Sequence, residues 1–256
     1  MARRVVQFSC GSASAVAAKL TVTNHTDVAI INAFIKEEHP DNRRFLADCE
    51  KWIGREITVL RDERFGASVH EVWRREKFMV SAHGAPCSRA LKQRVMDAWK
   101  RPDDIMVLGF TAEEEDRYDD LCERLQGRKI EAPLIAAGLT KADCHGLLTR
   151  AGIMLPQGYR DGFLNANCRG CPKGGMGYWN KVRVVYPEFF AEAMAIQESI
   201  GPGAYFFVNR TTGERFGLKD LRPDQGRIED EPEIECSFFC ALADQEFRRA
   251  ALRAAS

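Results

Sequence analysis

The chain has no apolar run near the roughly 20 residues that cross a bilayer. It also has no excess charge of either sign, with 37 Lys+Arg against 37 Asp+Glu in 256 residues. The first absence argues against a membrane-spanning helix. The second removes the global field that would draw the whole molecule to nucleic acid or to an anionic lipid surface. The basic start Met1-Ala2-Arg3-Arg4 leads only into the short apolar run 5–8. That run is too short for the core of a secretory signal, so a cytoplasmic protein is expected. Internal repeats and low-complexity tracts are absent, and histidine is scarce at five residues. The N-terminal loop lacks both common phosphate-binding signatures: no Gly-Lys-Ser/Thr closes it, and it has no Gly-x-Gly-x-x-Gly spacing.

What is present is ordinary in bulk. Hydrophobic residues make up 45% and charged residues 29%, as expected for one large globular domain or one domain with an appendage. Cysteine is the exception, at nine residues. The odd number and irregular spacing argue against a disulfide framework. The thiols are then free, catalytic or metal-bound.

The chain is organised around residues 5–20. Residues 5–8 suit a buried strand, 9–14 are a run of small residues, and the alanine-rich 15–20 begins a helix. Strand, small-residue turn and helix N-terminus is the geometry that holds a phosphate, because the first N–H groups of a helix lack internal partners and the dipole favours an anion. Small residues at such a junction also serve tight packing alone.

Further strands are expected at 28–35, 57–60 and 105–110, and helices at 42–53, 69–80, 88–99 and from 111 onward. Asp41 is placed to cap the first of these helices, 42–53. Alternating strands and helices predict an α/β domain with a mainly parallel sheet and helices on both faces. Ligands in such sheets bind beyond the carboxyl ends of the strands. Three polar clusters fall there: 9–14, 36–42 and 111–117. From about residue 139 the texture changes to a helical and Cys/Gly-rich region. The chain is therefore divided into a part that carries the candidate phosphate loop, 1–138, and a C-terminal part, 139–256, packed on the same domain. In the second part, 187–200 reads as a helix with proline in its first turn. Residues 204–209 and 215–218 read as a hairpin, and 241–255 as a terminal helix.

With these residues in view, the chain resembles the PP-loop family of nucleotide α-hydrolases, and more closely its phosphoadenylyl-sulfate (PAPS) reductase branch. The loop Ser9-Cys10-Gly11-Ser12-Ala13-Ser14 and the pattern Gly109-x-Thr111-Ala112-x-Glu114-x-x-Arg117 carry the first likeness. Cys87-Ser88-Arg89-Ala90-Leu91-Lys92 and the run Cys168-Arg169-Gly170-Cys171-Pro172-Lys173-Gly174-Gly175-Met176-Gly177-Tyr178-Trp179-Asn180-Lys181 carry the second. The latter is similar to reductase-like proteins of phages, plasmids and mobile CRISPR loci. The resemblance spans roughly residues 4 to 240.

It implies a Rossmann-like adenine-nucleotide α-hydrolase fold and cleavage of ATP to AMP and pyrophosphate with Mg²⁺, adenylating an acceptor for sulfur transfer or another modification. Ser9, Cys10, Gly11, Ser12 and Ser14 would hold the phosphates, or the sulfate end of PAPS. Two departures are visible: Cys10 replaces the family's usual glycine, and Ala13 replaces the aspartate of ATP-using members. Lys92, Arg117 and Lys173 are the expected cations for the leaving pyrophosphate. Glu114 would hold Mg²⁺ or orient Arg117, and Glu38 and Asp41 are further candidates to meet a metal.

Cys168 and Cys171 have the spacing of a metal knuckle, and Cys236 with Cys240, or Cys87, would complete a zinc site or a four-iron–four-sulfur cluster. Free thiols are the plain alternative. Cys10, Cys49, Cys122 and Cys144 also fit packing roles. Glu235-Cys236 is similar to the reductases' Glu-Cys-Gly-x-His tail, but the Gly and His are replaced. Two rival functions follow: a PAPS or adenylyl-sulfate reductase using Cys236, and a non-catalytic nucleotide-binding accessory protein. The expected partners are an adenine nucleotide, an unspecified acceptor, a nucleic-acid-linked system and a second copy of the chain, with no membrane.

Overall fold

The computed structural model describes residues 2–81, 84–125 and 127–231. Its centre is a five-stranded parallel sheet in the order β3-β2-β1-β4-β5, formed by β1 (Arg4–Gln7), β2 (Val28–Ala33), β3 (Ile57–Leu60), β4 (Ile105–Val107) and β5 (Ile130–Glu131). Strand-period alternation explains the layers. Val6, Ile30 and Val107 join one apolar cluster, with α1 (Ser12–Asn24), α2 (Asp41–Ile53) and α7 (Lys141–Arg150). Their neighbours Val5, Ile31 and Met106 join another, with α4 (Arg94–Trp99) and α5 (Glu115–Arg124). Helices therefore cover both faces, as expected of a doubly wound α/β fold.

A third apolar cluster unites α3 (Val69–Glu76), α9 (Met176–Val185) and α10 (Pro187–Ile200) around Trp73 and Trp179. The short hairpin β6 (Phe207–Val208) and β7 (Arg215–Phe216) adds to it. The short helices α6 (Pro133–Ala136) and α8 (Gln157–Arg160) complete the order. Cys144, Leu148 and Ile153 lie in the cluster that holds α1, so the composition change near residue 139 does not mark a break in packing.

Several local expectations are corrected. Asp41 is the first residue of its helix rather than the cap. Its carboxylate is taken by the Arg44 guanidinium at 2.7 and 2.8 Å and accepts the Gln157 N–H at 2.9 Å. The helix expected over 69–80 ends at Glu76, where Lys77 turns left-handed with φ 60°. The helix expected over 88–99 opens with a π-type turn, Ser88–Gln93. The second strand stops at Ala33, and the fourth at Val107. The terminal helix expected at 241–255 lies outside the described residues, as does His83. Among the described residues, no helix is long and apolar enough to cross a membrane.

Candidate functional site at the sheet switch point

After β3 the chain returns to the other side of β1, so neighbouring connections diverge between β1 and β4. Crevices form at such points. Here the crevice is a cleft of about 150 Å³, lined by Ser9, Gly11, Ala13 and Ser14 from the first loop and by Gly109, Phe110, Thr111 and Glu114 after β4. Lys92, Lys141, Tyr159 and Asn165 close its sides.

The first loop is built by its own side chains. The Ser14 hydroxyl accepts from the Ser9 N–H (3.1 Å) and hydroxyl (3.2 Å) and donates to the Gly11 carbonyl (2.9 Å). Gly11 stands at the helix N-cap in extended conformation, and among the described residues no side chain caps α1. The first N–H groups of this 13-residue helix therefore open on the cleft without a side-chain acceptor. Ser12 and Cys10 are fully buried and do not line the cleft. The Ser12 hydroxyl has no hydrogen-bond partner among the described residues.

Cys10 has φ 59°, a conformation rare for a side-chain-bearing residue. Asn32 holds this bend: its Nδ2 donates to the Phe8 carbonyl (2.8 Å) and reaches the Cys10 Sγ (3.6 Å), while its Oδ1 accepts from Arg43 (3.1 Å). Arg43 also reaches that sulfur at 3.5 Å. Burial, and then the Glu38 carboxylate, push the Cys10 thiol well above its usual range, which makes it a packing group rather than a nucleophile. Asn32 and Arg43 escaped the sequence reading. The available signal was one amide inside an otherwise apolar strand.

Glu38 is buried and does not line the cleft. Its carboxylate sits 3.8 Å from the Lys92 Nζ, 3.7 Å from Arg43 and 3.2 Å from the Asn42 Nδ2. Burial raises its pKa, and Lys92 is the largest opposing influence. Glu38 therefore positions Lys92, which itself reaches the cleft wall.

Glu114 reaches the cleft as part of a capping box. One oxygen accepts from the Thr111 N–H (2.9 Å) and hydroxyl (3.1 Å), and the other takes Arg117. Arg117 stacks over Phe110 at 5.4 Å and does not line the cleft; nor does Lys173. Glu114 is the one carboxylate among the lining residues, and Ala13 contributes none. Lys141 was missed by the sequence reading. Its Nζ donates to Asn165 Oδ1 at 3.0 Å, so a contact across the fold sets its place.

A smaller cavity lies behind Lys92, and Cys87, Cys168 and Cys171 line it together. The buried Tyr178 shapes the Cys-x-x-Cys turn. Its hydroxyl accepts from the N–H groups of Gly170 (3.1 Å) and Cys171 (3.0 Å) and donates to the Cys168 carbonyl (3.0 Å). Among the described residues, no group of three or more His, Cys, Asp or Glu is close enough to hold a single metal ion. Cys236 and Cys240 lie outside the described residues.

Fold and site together define a doubly wound parallel α/β protein with an uncapped helix N-terminus at its switch-point cleft. Comparison with known proteins finds no matching family model and no curated relative.

Proposed function

We propose that the cleft binds an adenine nucleotide through its phosphates, and that the protein is a PP-loop-type enzyme that breaks ATP between the α- and β-phosphates, with pyrophosphate leaving and the adenylyl group passing to water as AMP or to an acceptor as its adenylate. The observation that carries this reading is the open N-terminus of α1 meeting Lys92 and Lys141 across one cleft. Backbone N–H groups and the helix dipole favour the anion, and the two ammonium groups offset charge gathering on the leaving pyrophosphate. Glu38 holds Lys92 in place, and the Ser14 bridge keeps the loop open before ligand arrives. Mg²⁺ would arrive on the triphosphate and neutralise it, with Glu114 the carboxylate on the wall to meet it.

The same wall supports a second reading. Ala13 offers no carboxylate and Glu114 is already engaged, which suits a sulfonucleotide bound without a metal. The reductase tail at Cys236 lies outside the described residues.

The thiols make a further element of the proposal. Cys87, Cys168 and Cys171 line one cavity, and a zinc or iron–sulfur site there would need further ligands, because among the described residues no group of three or more His, Cys, Asp or Glu could hold a metal ion.

The deciding experiment is incubation of the purified chain with ATP and Mg²⁺, resolving AMP from ADP. AMP with pyrophosphate supports the enzyme, and its loss in Lys92→Gln with an intact fold supports the site. ADP, or no product, overturns the ATP reading. Sulfite release from PAPS would then establish the second, and tight nucleotide binding without any product would indicate an accessory role.

A further inference from the structure

Beside the cleft lies a second cavity of about 30 Å³, and the two share the wall Asn165-Ala166-Asn167. The proposed phosphate chemistry does not use it. Its polar lining comes from distant parts of the chain and includes His39 beyond β2, Asn42 in the first turn of α2, Arg169 inside the Cys-x-x-Cys turn, and Glu231, whose two carboxylate oxygens accept the Gly177 and Gly175 N–H groups at 2.7 and 2.9 Å.

Arg169 is the most telling of these. Its guanidinium is half-buried, 4.0 Å above the Phe189 ring and 5.8 Å from that of Tyr186. Its one side-chain hydrogen bond among the described residues is a long one, 3.5 Å from Nε to the Glu37 carbonyl. It has no carboxylate partner there. A guanidinium drawn out of water without an anion is costly, and its terminal N–H donors, which make none of the hydrogen bonds among the described residues, can receive one.

Asn42 supplies an independent observation. It is 1% exposed, its Nδ2 is used by Glu38, and its Oδ1 has no hydrogen-bond partner among the described residues. Asn42, with this unmet acceptor in the cavity wall, and Arg169, with no carboxylate partner among the described residues, thus line the same cavity. His39 completes the set. Its Nδ1 accepts the Asp41 N–H at 3.1 Å, which leaves the proton of the neutral ring on Nε2 as a donor. Phe163 and Tyr186, stacked at 5.6 Å and 7°, form an apolar wall.

We propose that this cavity binds a small planar carboxylate bearing an adjacent N–H or O–H donor, with Arg169 and His39 on the carboxylate and Asn42 on the donor. The body of the ligand would extend past residues 165–167 toward the cleft. Size sets the class. One water needs about 10–15 Å³ by the same measure, so the cavity admits a head group of a few atoms. One guanidinium edge matches a flat carboxylate better than a tetrahedral dianion, which needs more donors. The aromatic wall favours a flat head group. That this ligand is the acceptor of the reaction rests on the nucleotide reading above; its binding does not.

The test uses 2-aminobenzoate, followed by its own fluorescence, against the full chain, with 2-aminobenzamide as the uncharged isostere. The acid should bind at least tenfold tighter than the amide. Arg169→Gln should lose at least tenfold, and Arg169→Lys, which keeps the charge, should fall between. Circular dichroism confirms folding of each variant. Ser14→Ala should weaken ATP and leave the acid unchanged. Equal binding of acid and amide, unchanged binding in both Arg169 variants, or no binding of the acid at millimolar concentration would overturn the proposal. If the acid binds as expected and ATP does not, this cavity stands and the nucleotide reading fails.

Discussion

A β-carbon at Gly109 would lie 2.8 Å from the backbone nitrogen of Ser14. The strand end after β4 and the first turn of α1 touch through bare backbone, and neither side has a flexible group to move away. Gly109→Ala should therefore push the two loops apart. The expected cost is about 1–3 kcal/mol of stability, as for other overpacked sites. ATP affinity should fall at least tenfold. Thermal melts and equilibrium binding on the same preparation check both, and an unchanged affinity would remove Gly109 from the site.

Ser14 is the hub of the phosphate loop rather than a free hydroxyl. It accepts twice from Ser9 and donates to Gly11. Ser14→Ala should leave the fold intact at a cost of about 1 kcal/mol, a typical net value for hydrogen bonds in partly exposed sites. Nucleotide affinity should drop tenfold or more because the loop loses its preset shape. Ser14→Thr, which keeps the hydroxyl, should recover part of it. Isothermal titration with ATP separates the two variants.

Asn32 joins β2 to the bend at Cys10 and to Arg43. Asn32→Ala leaves the Phe8 carbonyl and one Arg43 donor without their partner. The expected destabilisation is about 2 kcal/mol, in the range for unsatisfied buried polar groups. Denaturant midpoints measure this cost. Trapping of Cys10 by a thiol reagent should also quicken, because opening the loop exposes a sulfur now 0% accessible.

The sheet was legible because its strands are apolar runs separated by helical segments, and the first loop because small residues sit where a strand meets a helix. Residues set by contacts distant in sequence were not legible. Lys141 and Tyr159 reach the cleft from beyond the composition change. Glu114 shows a different failure. Its place beside Arg117 was expected from the resemblance, but Thr111-x-x-Glu114 is also a capping-box pattern, and that local pairing is what its oxygens satisfy. The glycines after the cysteines have a packing cause invisible in sequence: a β-carbon on Gly177 would overlap the Arg227 backbone, and the Glu231 carboxylate accepts the Gly175 and Gly177 N–H groups at 2.9 and 2.7 Å.

Asp41 gives a pH dependence. Hydrogen bonds from Arg44 hold its carboxyl down at about 2, below the usual carboxylate range, against the opposing effect of burial. Because the folded pKa is the lower one, the unfolded chain binds the proton first as pH falls. The stabilisation is complete above about pH 4 and is lost between there and about pH 2. Asp41→Asn should flatten that part of the stability curve while leaving its shape near neutrality unchanged. Urea midpoints at pH 5, 4, 3 and 2 test this, and parallel curves for both proteins would refute it.

Tyr178 holds the Cys-x-x-Cys turn through one oxygen and three backbone groups. Tyr178→Phe keeps the ring, its edge contact with Phe163 and its packing on Trp179. It removes the acceptor of two N–H groups and the donor to one carbonyl in a buried place. The cost should be about 2–3 kcal/mol, more than a single hydrogen bond and less than loss of the whole side chain. If Cys87, Cys168 and Cys171 serve a sulfur-bound metal cluster, the variant should also carry less iron or zinc per chain after anaerobic purification. Chelation of the wild-type protein should lower its melting temperature toward that of the variant. Elemental analysis beside thermal melts distinguishes the two roles. A lower melting temperature with no metal in either protein assigns Tyr178 to packing alone, whereas metal lost in parallel with stability ties the turn to a cluster.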